Sequence, residues 1–438
     1  MPQWILFICF LVVTILFLWM VTFPKDFFKK YYKHILILGF FLRILSIFLP
    51  PLWEDDWSRY LWEGMLIRNG MSPYEISPLD FFQSPNLTGT EIEILSQINH
   101  PDWTTIYSPF VLFYFSLFSL GFSGILLKLT YLVLETFCFL YFSKGKFNKS
   151  RLSYWIFPVF IKEIYINFHF EILIISLLWI FFNLVREKKL IGASFVLGLV
   201  IHIKIFSIIF LISLCQPINY KKWNSSWVKW MLCLLSGLGG YLMFYLVYYF
   251  IFPSTIDFGI YNLFKFGGNF KFNQFYEPLW KLFGIIDLKT FPFLVQLTTI
   301  NIYVWISLAK KNRHRIFLSH ASKLDLYFLY GYFFLTLSPV YNPWYFLVLI
   351  PLLVISKSEN VTPWVLISLP QLSYFTKARL GTTFTYFYEI PETILLLEVG
   401  ISLICLLLQF RQIFILLYKI SNISNISPKG SIGYGNRN

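Results

Sequence analysis

The sequence predicts an all-α polytopic membrane protein, and three observations carry that prediction. Charged residues are only 13% of the 438 while apolar residues are 57%, against roughly a quarter charged in a soluble domain, so there is too little polar surface to cover a water-exposed globule. Apolar runs of spanning length recur along the chain, leaving room for about 11 to 13 membrane segments of roughly 17 to 25 residues each. The excess of lysine and arginine that gives the +14 charge is spread between these runs rather than gathered on one polar element. That distribution reports membrane orientation, and no nucleic-acid partner is expected.

Taken in order, the long runs are 4–22, 35–53, 230–252 and 291–309, and 326–356 carries no charge at all. Shorter or interrupted runs lie at 107–143, 152–168, 171–185, 190–216, 361–376 and 393–418. The first of the long runs follows no charged n-region and no small-residue cleavage site, so it is expected to remain as a span. Cys9, Cys138, Cys215, Cys233 and Cys405 sit in or beside apolar runs, in neither a metal-ligand spacing nor a paired loop pattern, and read as core residues. The chain is read as one transmembrane domain over 1–418, with exterior loops at 53–106 and 253–290 and a polar tail at 419–438.

Orientation follows from the basic clusters. Lys25 to Lys33, Lys144 to Arg151, Arg186 to Lys189, Lys221 to Lys229 and Lys310 to Arg315 are placed in the cytoplasm. The loop from Glu54 to Thr105 then falls outside, in a cell membrane, with nine acids against two bases, Arg59 and Arg68. Alternation puts His169, Glu171, Lys204 and Ser338 to Tyr345 on the same exterior face. The scheme is strained at 107–143, which resembles two short spans but must cross an odd number of times, and at 190–216, whose halves are short for two crossings.

Five constellations stand out, with Arg43 beside them. Asp55 and Asp56 follow a span by two residues, at the depth where a lipid-linked substrate presents its head group. A carboxylate there can take a proton from a hydroxyl or bind a divalent cation, Mg or Mn, or it can simply begin a solvated loop. Arg59, Tyr60, Trp62, Glu63 and Tyr74 lie close by and suit a sugar. His100, Pro101, Tyr107 and Pro109 shape either a pocket rim or a turn with an aromatic anchor.

His169 and Glu171 are ionisable residues near membrane depth, which by default mark a function. Two apart, they share a direction only where the helix is broken. Lys204 is a cation with apolar neighbours on both sides, open to an anionic phosphate or to snorkelling. Pro339 and Pro343 must break the charge-free run, where Asn342, Trp344 and Tyr345 offer a sugar platform. Arg43, inside the second span, either pairs with an acid or touches a phosphate.

Asp55-Asp56-x-x-Arg59-Tyr60-x-Trp62-Glu63-Gly64, Gly70-x-Ser72-Pro73-Tyr74 and Thr105-Ile106-Tyr107-x-Pro109 together resemble bacterial multispanning hexosyl- and mannosyltransferases of the GT-C superfamily. A more distant likeness is to the transferase that adds the first mannose of GPI anchors. The likeness covers most of 40–356. Relatives commonly carry His-x-Asp, a lysine after a Gly/Leu-rich stretch, and a late His-Pro-Trp-Tyr, which correspond here to His169-x-Glu171, Lys204 and Asn342-Pro343-Trp344-Tyr345. Glu171 and Asn342 are departures from that pattern, and the second puts in doubt a histidine contact to the donor phosphate.

The resemblance implies a GT-C-like helical bundle with a large exterior first loop, taking a hexose, mannose first, from a polyprenyl-phosphate sugar to an envelope glycan or glycolipid. Asp55 or Asp56 is implied as the base, with inversion at the anomeric carbon. Lys204, Arg59 and Arg43 are candidates to stabilise the departing phosphate. A metal on Asp55 and Asp56 remains an open alternative. The competing classes are a transporter or flippase of lipid-linked sugars and a non-catalytic envelope scaffold. The acids gather in one asymmetric loop, and the paired interruptions common in transporter halves are not found.

Overall fold

The computed structural model describes residues 3–120, 124–214, 223–269, 272–273, 320–338, 340–383 and 388–425. Among these the chain is all-helical, and its only β-type pairing is an isolated bridge between Phe272 and Val340. Helix α1 (Gln3–Val21) turns at Pro24 into α2 (Lys25–Ile47). Helix α2 buries Phe28, Ile35, Gly39, Arg43 and Ile47 but exposes Ile37, Phe40, Phe41 and Leu45. An apolar outer face of this kind is the reverse of a helix facing water.

Pro50 and Pro51 stop α2, and the chain enters the acidic loop, which folds as a small unit. It contains α3 (Asp56–Arg68), a 3-10 turn at Pro78–Phe81 and α4 (Gly89–Ser96), the last closed by a reciprocal capping box between Thr88 and Glu91. Leu61, Trp62, Met65, Leu66, Ile94, Leu95 and Ile98 form a separate apolar cluster within it. From there α5 (Pro109–Phe118), α6 (Ile125–Ser143), α7 (Lys149–Trp155) and α8 (Pro158–Ile161) return to the main core. Gly39 allows Trp155 to lie against α2, since a Cβ there would come 2.4 Å from the indole ring.

Helix α8 runs into a π turn at Lys162–Ile166 before α9 (Glu171–Arg186) and α10 (Leu190–Ile203). A 3-10 segment, Ile205–Leu214, precedes α11 (Trp223–Ile251) and α12 (Ile260–Asn269). Next come α13 (His320–Thr336), a 3-10 segment at Pro343–Leu349, α14 (Ile350–Ser356), α15 (Thr362–Ser368) and a 3-10 turn at Leu369–Tyr374. Helices α16 (Lys377–Leu380) and α17 (Glu392–Asn425) complete the order.

Among the described residues, three helices are long and apolar enough to cross a membrane: Ile125–Ser143, Val228–Ile251 and Glu392–Gln409. They mark the chain as membrane-associated. Helix Val228–Ile251 is almost wholly unburied, so it turns its apolar side chains outward. The expected 11 to 13 segments are not reached on this criterion among the described residues. Prolines and buried charges cut the apolar runs into shorter pieces: 107–143 is α5 and α6, 190–216 breaks at Lys204, and 326–356 breaks between Thr336 and Pro343. The run at 291–309, residues 274–290 of the second loop and residues 426–438 of the tail lie outside the described residues.

Candidate functional site

The acidic triplet Glu54-Asp55-Asp56 sits at the start of α3, where Asp56 is the first helical residue and its charge complements the positive end of the helix dipole. Asp55 occupies the cap position without capping; its Oδ1 instead accepts from Asn99 Nδ2 at 2.9 Å. Burial raises all three carboxyls, and repulsion from the neighbouring acids adds to it at Glu54 and Asp55, taking Asp55 up to about 6. Burial raises Asp56 too, against the pull first of Lys204 and then of Arg59. Asp56 thus faces the Lys204 side of the site, whereas the cation bearing on Glu54 and Asp55 is Arg379.

Opposite the triplet lie the residues expected near membrane depth. The π turn ends at Asn167, and Phe168 follows in the left-handed region at φ 68°, so the helix is broken where His169 and Glu171 occur. Gly124, itself at φ 63°, makes room for the Phe168 ring, which a Cβ would meet at 2.1 Å. Both His169 and Glu171 are fully buried. The His169 ring stacks on Trp344 at 3.9 Å and 19°.

Lys204 is not a lone cation. Extended backbone at φ −146°, ψ 120° ends α10 there, and its Nζ bonds Glu171 Oε1. It also lies 4.6 Å from the centre of the Phe170 ring and 4.9 Å from that of Tyr345. Glu171 Oε2 has no hydrogen-bond partner. Asn342 and Trp344 are buried and Tyr345 half-buried, at the start of the 3-10 segment that Pro343 imposes.

A second set of polar groups escaped the sequence reading. Glu163, in the π turn, accepts from Lys162 Nζ (2.7 Å), Gln371 Nε2 (2.8 Å), Asn167 Nδ2 (2.9 Å) and Tyr374 Oη (3.1 Å). Asn167 Oδ1 in turn accepts from Leu52 N, two residues before Glu54. Arg379 donates to Trp53 O at 2.5 Å and to Tyr374 O at 3.3 Å. One signal was present: Lys162 and Glu163 are adjacent charges inside an apolar run.

Several expected binding residues have other duties. Arg59 bonds Glu63 at 3.1 Å and the carbonyls of Asn99, His100 and Trp103, so it clamps the acidic loop and has little left for a phosphate. Glu63, raised by burial to about 7, receives Arg59 and Thr105 Oγ1. Trp62 is wholly buried against Phe81 and cannot be a sugar platform. Tyr60 stacks on Phe115 at 4.7 Å, and Tyr74 holds Tyr107 O at 2.6 Å, so both are supports. Tyr107 is half-buried between Tyr60 and Phe170, and His100 is exposed, stacked on Trp103. Arg43 pairs bidentately with Glu135 in the core, which removes it from the phosphate candidates.

The residues present do not fit a divalent cation. Among those described, no three His, Cys, Asp or Glu groups gather as ligands, Asp55 is engaged by Asn99, and Lys204 bears on Asp56. What the arrangement offers is proton acceptance at Asp56, a cation at Lys204 and buried unpartnered acceptors at Glu171 and His169. No protein-family model matches the chain, and no match is found among curated proteins or solved structures.

Proposed function

We propose that the chain is a multi-pass membrane glycosyltransferase of the GT-C type, moving a hexose from a polyprenyl-phosphate donor to a glycan or glycolipid acceptor. The observation that carries the reading is the convergence of Asp56 with the Lys204–Glu171 pair beside His169, Trp344 and Tyr345, from four distant stretches of chain. A transfer from a lipid phosphate needs one group to take the acceptor proton and a fixed cation where the phosphate charge develops.

Asp56 takes the acceptor hydroxyl proton, the oxygen attacks the anomeric carbon with inversion, and polyprenyl phosphate leaves toward Lys204. Asp56 is preferred to Asp55 because Lys204 is the cation that bears most on it. Asp55 keeps a hydrogen bond to Asn99, and the charge of Asp56 beside it holds its own carboxyl up. Glu171 holds Lys204 in place. The multi-pass course and the exterior position of the site belong to this proposal, supported by the outward apolar faces of α2 and α11 and by the spacing of the basic clusters.

The test is incubation of the purified protein with polyprenyl-phosphate mannose or glucose and an acceptor glycan, following release of polyprenyl phosphate. Release that depends on the acceptor is expected. No release from either donor, with a protein that is folded, would count against the reading.

A further inference from the structure

His169 is fully buried, yet neither ring nitrogen has a hydrogen bond. The ring cannot easily turn, because Trp344 covers its face at 3.9 Å. Nε2 lies 3.4 Å from Glu163 Oε2, and the His169 backbone N–H donates to Glu163 O at 3.0 Å, so side chain and main chain are both tied to the same residue. What is left to settle is which nitrogen carries the proton of the neutral ring.

Glu163 decides it. Its carboxylate is held by Lys162, Gln371, Asn167 and Tyr374, four donors that fix its position, and an acceptor of this kind facing the ring favours N–H over a lone pair at Nε2. Nδ1 is then an acceptor to which nothing among the described residues donates. Lys204, the nearby cation, is committed to Glu171. A neutral donor from outside the protein, small enough to reach a buried ring stacked on tryptophan, is the missing partner.

We propose that Glu163 is a positioning residue that holds His169 in the Nε2–H tautomer, and that His169 Nδ1 accepts a hydrogen bond from one hydroxyl of the transferred sugar. The tautomer stands on the geometry alone; the identity of the donor as a sugar hydroxyl rests on the glycosyl-transfer reading. His169 is therefore a specificity residue, reading one ring position of the hexose.

Two measurements separate these parts. In protein labelled with ¹⁵N-histidine, with the His169 signals assigned by their loss in His169→Phe, the wild type is expected to show Nε2–H. Glu163→Gln is expected to shift the ring toward Nδ1–H, because Lys162, Gln371 and Tyr374 hold the amide oxygen at the Oε1 position and leave the NH₂ at the Oε2 position, toward the ring. A wild-type ring protonated at Nδ1 overturns the positioning role whether or not Glu163→Gln folds, and leaves the transfer reading intact. The second measurement is kcat/KM for polyprenyl-phosphate mannose against its monodeoxy analogues. One analogue should fall roughly tenfold or more in the wild type. In His169→Phe, which keeps the stacking, that ratio should approach one. Ratios unchanged by His169→Phe overturn the hydroxyl contact, while a wild type inactive on every donor defeats the transfer reading and leaves the tautomer result to stand by itself.

Discussion

Two buried ion pairs of this chain, Arg43–Glu135 and Lys204–Glu171, look alike in sequence and differ in completeness. Arg43 sends Nε and Nη2 to the two Glu135 oxygens at 2.8 and 2.6 Å and Nη1 to Gly39 O and Trp155 O, with the Trp155 ring 4.0 Å below. Glu135 also receives the hydroxyls of Tyr154 and Tyr165. Both of its oxygens are in use. In the second pair Lys204 meets only Glu171 Oε1 and aromatic faces, Oε2 is unpartnered, and 16% of the lysine side chain is exposed. A closed pair belongs to the fold, whereas the open one beside an acidic triplet keeps an acceptor and part of a cation free, as the proposed transfer requires. Burial of charge alone does not distinguish the two; the accounting of each donor and acceptor does.

The largest effect should come from breaking the closed pair. Arg43→Met leaves Glu135 charged and buried, which should cost about 3 to 5 kcal/mol and much of the folded protein. Arg43→Met with Glu135→Leu should recover most of the melting temperature, and failure to recover would show that the pair does more than neutralise itself. Next in size is Asp56→Asn, expected to lower transfer about 10²–10⁴-fold in a folded protein, with a smaller loss in Asp55→Asn. The opposite ranking in a transfer assay would reassign the base.

Lys204→Met should weaken donor binding by about tenfold, roughly 1.4 kcal/mol, and should also destabilise by stranding Glu171. Adding Glu171→Gln separates the two effects: melting should return while donor titration stays weak. Recovery of both would make Lys204 a structural partner only. The smallest effect concerns pH. Asp55 keeps its proton up to about 6 when folded, against 3.8 for its ordinary value, so its buried charge costs stability above that window and nothing below it. Asp55→Asn should therefore raise Tm at pH 7 and leave it unchanged near pH 3.5, a difference readable by thermal melts at the two pH values.

Much of the open site was legible because single residues announced it. Asp55 and Asp56 stand after a long apolar run, His169, Glu171 and Lys204 interrupt others, and two prolines demand a break beside Asn342, each a local conflict that a packed apolar core does not need. Partners separated in sequence were not legible. Nothing near Arg43 names Glu135, 92 residues on, and Gln371 meets Glu163 across 208. Arg59 and Trp62 were misjudged for a related reason, since their place depends on how the acidic loop closes over its own apolar cluster. The helical character was legible from the apolar runs, but run length overstated span length, because the prolines and charges that mark the site also shorten the helices around it.

The distance between Arg43 and Glu135 along the chain has a consequence for biosynthesis. The arginine is translated 92 residues before the carboxylate that neutralises it, and the two tyrosines that complete the pair, Tyr154 and Tyr165, come later still. Helix α2 therefore cannot take its final place while it is the youngest part of the nascent chain. The pair can close only after about a third of the polypeptide has left the ribosome, so the final packing of α2 comes after α6 and α7 have been made.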